Sequence, residues 1–207
     1  MTTTSEFTAV LRDQIGAVAD RGGPAVLTDQ DTTAIAVTAS LLTALARADR
    51  APTRSRVVIT GAHTVPLLRP LLIAAGIGEI DSWNDSDAAG CGLTRFAYGA
   101  DAVIDLIGRT PHLPVFGHIQ PIVISPDTHS YGHLAVPGLL TAILRHPERT
   151  VDLYYRCALA LVAATPPHRL LPDPDLVENI ASAAGQVLHR HHHSTATTPG
   201  RPLHSHE

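Results

Sequence analysis

An α/β fold, with a doubly wound and mostly parallel sheet, flanking helices and a helical C-terminal part, follows from three features of the 207 residues. The first is the β-branched run Arg56-Val57-Val58-Ile59-Thr60, closed by Gly61; short continuous apolar runs of this kind belong to strands buried on both faces. The second is the alternation of such runs with helical stretches, which calls for parallel strands joined by crossovers. The third is the change after Tyr131 to helical patterning alone.

Taken in order, Thr4 or Ser5 caps a first helix carrying Phe7, Val10, Leu11, Ile15 and Val18 at helical spacing, ended by Arg21-Gly22-Gly23-Pro24. Ala25-Val26-Leu27 reads as a short strand. Asp29 or Asp31 is then expected to cap an apolar helix over Thr33–Ala46, which has so few polar residues that it must be packed on most sides. After the strand at 56–60, a helix is predicted over Leu67–Ala75, stopped by Gly76. Strands follow at Ile80–Trp83, Ala102–Leu106 and Pro121–Ile124, with a short helix in Gly92–Tyr98. Helices are expected over Pro137–Leu144 and Val151–Ala164, the latter with Leu153, Cys157, Leu161 and Val162 inward, and from Asp175 to about His189. The organisation is a helical segment at 1–24, one α/β domain at 25–190 and a His-, Thr- and Pro-rich tail at 191–207 that reads as disordered.

The composition closes several routes. All 15 basic residues are arginine, so lysine Schiff bases, a lysine general base and a lysine-bearing phosphate loop are excluded. A net charge of −4 without a clustered basic face gives no nucleic-acid footprint. Cys91 and Cys157 form no C-x-x-C pair and read as reduced thiols. No basic-then-apolar leader and no run of 18 apolar residues occurs, which predicts a cytoplasmic protein away from membranes.

The strand at 56–60, the Gly61 loop, a helix, and a second strand ending at Asn84-Asp85 reproduce the layout of a Rossmann-like dinucleotide-binding unit. Around it, Asp29-Gln30-Asp31-Thr32-Thr33-Ala34 before a long apolar helix resembles the Asn-Asp-Asp…Gly-Thr-Ala segment of malic enzymes. Tyr98-Gly99-Ala100-Asp101-Ala102-Val103-Ile104 resembles their Gly-Ala-Asp strand start, and His133-Leu134-Ala135-Val136-Pro137-Gly138 their Leu-Ala-Phe-Pro-Gly helix start. Leu170-Leu171-Pro172-Asp173-Pro174 resembles their C-terminal end. Five segments in the family's order, over roughly residues 25–190, thus resemble the NAD(P)-binding half of a malic enzyme.

That resemblance implies NAD or NADP at Gly61, Ala62, His63, Thr64, Asn84 and Asp85. The glycine fingerprint reads Gly61-Ala62-His63-Thr64-Val65-Pro66. The first glycine is kept; His63 stands where a glycine lets the backbone approach the pyrophosphate, and Pro66 removes one N–H near the helix start. His63 therefore either meets a phosphate or another ligand, or faces solvent beside a lost pocket. Asp85, or Asn84, falls at the ribose-binding acid, where a turn-forming role is the alternative. A divalent metal maps to Asp29 alone, since the acidic pair that completes the family's site has no counterpart; a helix cap is the competing role of Asp29.

Catalytic residues stay unassigned, with His63, Tyr131 and His133 as candidates. The family's catalytic Lys is missing, its N-terminal substrate domain with the catalytic Tyr has no counterpart, and its substrate-binding Asn pair maps to Tyr131-Gly132. Whether the chain is an enzyme is left open, and oxidative decarboxylation of malate by this chain alone is not expected. His112, His118, His129 and His133 follow the third strand, where imidazoles can serve metal binding or proton transfer or have no role. Two readings remain: an oxidoreductase-related NAD(P)-binding domain, completed by a partner chain; or a repurposed or inactive scaffold, acting as a binding or regulatory protein or with new chemistry in the cofactor crevice. A homo-oligomer or partner chain is also expected, to cover Phe7, Val10, Leu11 and the 33–46 helix.

Overall fold

The structure, a computed structural model, describes residues 28–110, 120–125 and 150–173. The elements read at 1–27, 137–144 and 175–189, and the tail at 191–207, lie outside the described residues, as do His112, His118, His129, Tyr131 and His133.

Helix α1, Asp29–Arg47, begins one turn earlier than the apolar run suggests, because its cap is Thr28. The Asp31 N–H donates to Thr28 Oγ1 at 3.2 Å, and the Thr28 N–H donates back to Asp31 Oδ2 at 3.3 Å. This reciprocal box satisfies two N–H groups at the start of the helix. Neither Asp29 nor Asp31 is the cap, so the expectation for both is corrected: Asp31 serves from the third helical position, and Asp29 is an exposed first-turn residue. Thr38 and Thr43 are buried on this helix, and their hydroxyls donate to the carbonyls of Ala34 and Ala39. That is how a helix buried almost all round carries polar side chains without unmet hydrogen bonds.

Four parallel strands follow: β1, Arg56–Thr60; β2, Glu79–Trp83; β3, Ala102–Asp105; and β4, Ile122–Ile124. Their order is β2-β1-β3-β4. Val58 lies opposite both Asp81 and Val103, and Val103 opposite Val123. Helix α2, Leu68–Ala74, joins β1 to β2, and the short α3, Leu93–Phe96, joins β2 to β3. Gly76, with φ of +76°, ends α2 while the Ile77 N–H reaches back to the Leu72 carbonyl at 3.0 Å. Helix α4, Val151–Ala164, is capped by Thr150, whose hydroxyl accepts from the Leu153 N–H.

The strand period of two divides the core. Val57 and Ile59 of β1, Ala102 and Ile104 of β3 and Ile124 of β4 pack with α1, α2 and α4. Val58 and Val103 point the other way, to Trp83, Leu93 and Ala97. On α4, Leu153, Cys157 and Leu161 are buried as expected, joined by Tyr154, Ala158 and Ala160, while Val162 is only half-buried. Helix α1, expected to be an uncovered apolar surface, has Ala34–Leu41 buried within the chain.

Candidate functional site

The strand order reverses at β1. Its sequence successor β2 lies on one side and β3 on the other, which opens a crevice at the carboxyl ends of the strands. The residues that leave β1, β2 and β3 at this edge define the site.

From β1 the chain turns at Gly61, held at φ +70°, ψ +34°. A side chain there is strained twice: the left-handed backbone disfavours it, and a Cβ would run into Ile107 Cγ2. The Gly61 N–H donates to the Trp83 carbonyl at 2.9 Å, pinning the start of the loop to the end of β2. Ala62–Thr64 then makes one 3₁₀ turn, with the Thr64 N–H and Oγ1–H both donating to the Gly61 carbonyl, at 2.9 and 2.8 Å. The Thr64 hydroxyl hydrogen is thus committed to the loop itself. The N–H groups of Ala62 and His63 have no backbone acceptor among the described residues. Pro66 lies ahead of α2, which starts at Leu68, so it is not in the first helical turn; Pro70 is.

His63 is exposed, and its Nδ1 lies 3.1 Å from Asn84 Oδ1. With that oxygen as acceptor, Nδ1 is the donor in this contact. Two residues picked from sequence for different parts of a nucleotide are therefore brought into contact. Asp85 opens the 3₁₀ turn after β2, and both its oxygens are taken: Arg109 donates from Nε to Oδ1 and from Nη2 to Oδ2, each at 3.0 Å. The bond and the charge of Asp85 push the Arg109 guanidinium above its ordinary pKa. Arg109 is a site residue that sequence reading missed.

Beneath the edge lies Asp105, the last residue of β3, which is buried. Burial alone would raise its pKa. The Thr110 hydroxyl at 2.5 Å, the Thr60 hydroxyl at 2.7 Å, the Thr110 N–H at 2.7 Å and the Arg109 N–H outweigh it and hold the carboxyl at about 2. Asp105 therefore ties the ends of β1 and β3 together and shapes the turn that carries Arg109. It also escaped sequence reading, although a Thr and an Asp ending neighbouring strands were a usable signal. Trp83, the chain's single tryptophan, is buried at the same edge and donates to the Cys91 carbonyl at 2.8 Å.

The other end of the sheet is structural. The Arg56 guanidinium bonds Asp81 at 2.7 Å and the carbonyls of Phe96 and Tyr98, and Asp101 accepts the Arg56 N–H at 2.9 Å. Asp29 is remote from the edge in sequence and exposed, and among the described residues no three His, Cys, Asp or Glu side chains gather to hold a metal. Among the same residues no helix is long and apolar enough to cross a membrane.

A parallel sheet with this crevice and helices on both faces defines a Rossmann-like α/β protein. Among solved structures the chain is similar to one assigned as a malic enzyme (malate oxidoreductase), with a TM-score of 0.58 at 18% identity over 75% of this chain and 58% of that one. It is likewise similar to the malic enzyme of Entamoeba histolytica, with a TM-score of 0.55 at 19% identity over 79% of this chain and 49% of that one. The fold is therefore malic-enzyme-like, and the chain spans 58% and 49% of the length of these two structures. No family model and no curated protein matches the sequence.

Proposed function

We propose that the chain is a malic-enzyme-like NAD(P)-binding domain, related to oxidoreductases, that does not oxidatively decarboxylate malate by itself. The observation that carries this reading is the meeting of the Gly61 loop with Asn84, through His63, at the strand-order reversal of a malic-enzyme-like sheet. The left-handed Gly61 and the N–H groups of Ala62 and His63, which meet no backbone acceptor among the described residues, suit the phosphates, and Asn84 and Asp85 suit the ribose. A bound nicotinamide cofactor supplies hydride transfer. The chain's part is to hold and orient it. The Lys-based proton transfer of the family has no candidate in a chain without lysine, which is why a partner chain is part of this reading.

Calorimetric titration with NAD and NADP, with and without Mg²⁺, tests it, and Trp83 fluorescence gives a second readout because the indole adjoins Asn84 in sequence. Micromolar binding that His63→Gly strengthens supports the reading, since that change removes a side chain from the phosphate approach. A second reading, a scaffold repurposed for another ligand, is favoured by the His63–Asn84 contact and by Ile107 lying against Gly61, both at the edge where the pyrophosphate would approach. No heat and no fluorescence change with either nucleotide, for wild type and His63→Gly alike, would establish the second reading over the first.

A further inference from the structure

Resting on the dinucleotide reading for its ligand, we propose that residues 84–92 form a lid, latched by Arg109 and His63 and hinged at Gly90 and Gly92, that must lift before a nucleotide reaches the Gly61 loop. The segment is firmly seated only at its ends. Trp83 before it and Leu93 after it are buried in the core of the α3 face, whereas none of the residues between them is buried. A stretch with no buried apolar side chain has little to oppose local opening. Contacts from two neighbouring loops hold its first residues. His63 of the Gly61 loop meets Asn84, and Arg109, in the turn after β3, grips Asp85 with two bonds. Because the sheet order puts β1 between β2 and β3, the Arg109–Asp85 contact spans the carboxyl end of β1, where the chain turns at Gly61.

The far end of the segment is built to bend. Gly61 needs glycine for its left-handed backbone, but Gly90 at φ −94°, ψ −40° and Gly92 at φ −62°, ψ 145° hold angles that any residue adopts. Space does not demand glycine there either: a Cβ at Gly90 would meet the Asp87 carbonyl oxygen at 3.7 Å, and one at Gly92 would meet nothing within 4 Å. The latched form therefore makes no use of the freedom of these two glycines. A hinge does, because it must reach a second set of angles. Between them the Cys91 carbonyl accepts the Trp83 indole N–H at 2.8 Å, a bond that lifting the lid breaks. The latch itself is light. Asp85 and Arg109 are both 57% exposed, and an ion pair so open to water shifts an equilibrium by roughly two- to fivefold.

Trp83 is the chain's single tryptophan, so its indole N–H gives one proton NMR signal whose hydrogen exchange counts lid openings. The amides of β1, in the core, exchange through larger openings and are the internal reference. Relative to them, Arg109→Gln is expected to speed indole exchange about two- to fivefold. Gly90→Ala combined with Gly92→Ala, which fits the latched form without a clash, should slow it by a similar factor. Salt at about 0.5 M should speed exchange in the wild type and leave Arg109→Gln unchanged. The rate of NAD association, followed by Trp83 fluorescence, should move with the exchange ratio, up in Arg109→Gln and down in the glycine double variant. Indole exchange that neither variant shifts, or that only follows the β1 amides, overturns the lid and leaves dinucleotide binding standing; so does NAD association that ignores a shift in exchange. If NAD binds to none of the three forms, the dinucleotide reading falls, and the exchange ratios alone decide the latch.

Discussion

Asp105 shows what a single buried carboxylate does at this edge. Its folded pKa of about 2 lies below the ordinary 3.8. A depressed carboxyl stabilises the fold above its unfolded pKa, and the contribution disappears as pH falls through the folded value. The gap corresponds to about 2 kcal/mol, present in full at neutral pH and lost between roughly pH 5 and pH 2. Asp105→Asn should lower stability at pH 7 by about 2 kcal/mol and flatten the decline below pH 5; urea denaturation at pH 7, 4 and 3 measures both. An unchanged acid slope would mean that other groups set it. The same scale explains why the site was only partly legible. Gly61 and Asn84 announce themselves, because a glycine after a β-branched run and a polar residue after the next strand have known places in this layout. Arg109 does not. It sits in Gly108-Arg109-Thr110, and its partner is 24 positions earlier, a pairing created only by the strand order.

Elements were more legible than contacts. Strand β1 and helix α4 have the bounds that patterning predicts, Arg56–Thr60 and Val151–Ala164. In β1 an unbroken β-branched run meets a glycine; in α4 a threonine cap precedes an apolar period. The start of α1 was misread for a physical reason: Thr28, Asp29 and Asp31 are all good capping residues, and composition does not say which one takes the extended backbone of the cap. The geometry makes the choice testable. Thr28→Ala should cost about 1 kcal/mol in denaturant unfolding, and Asp29→Ala only a few tenths, through the helix dipole. Because Thr28 and Asp31 bond each other's backbone, Asp31→Ala added to Thr28→Ala should cost less than the sum of the two. Equal effects at Thr28 and Asp29 would contradict the cap assignment.

At the scale of the whole sheet, the described residues clamp the two faces unequally. Among the described residues, one face carries α1, α2 and α4 in a continuous core, and the other carries the four-residue α3 with Trp83, Leu93 and Ala97. Periodicity showed that α1 and α4 are apolar, but not that they pack on one another across more than a hundred residues of sequence. The cysteines sample the two faces. Cys157 is buried in α4, and desolvation pushes its thiol up to about 12, so it carries almost no thiolate in the native state. Cys91 is partly exposed beside Trp83, on the α3 face. A thiol reagent should modify Cys91 in the native protein and reach Cys157 only when the thick core opens. Leu41, fully buried in that core, supplies the test. Leu41→Ala should cost about 3 kcal/mol. If exposure of Cys157 requires global unfolding, its labelling should then accelerate about a hundredfold while Cys91 keeps its rate. Labelling of Cys157 that ignores the Leu41 substitution would mean that α4 detaches on its own, and that the clamp on this face is α1 and α2 alone.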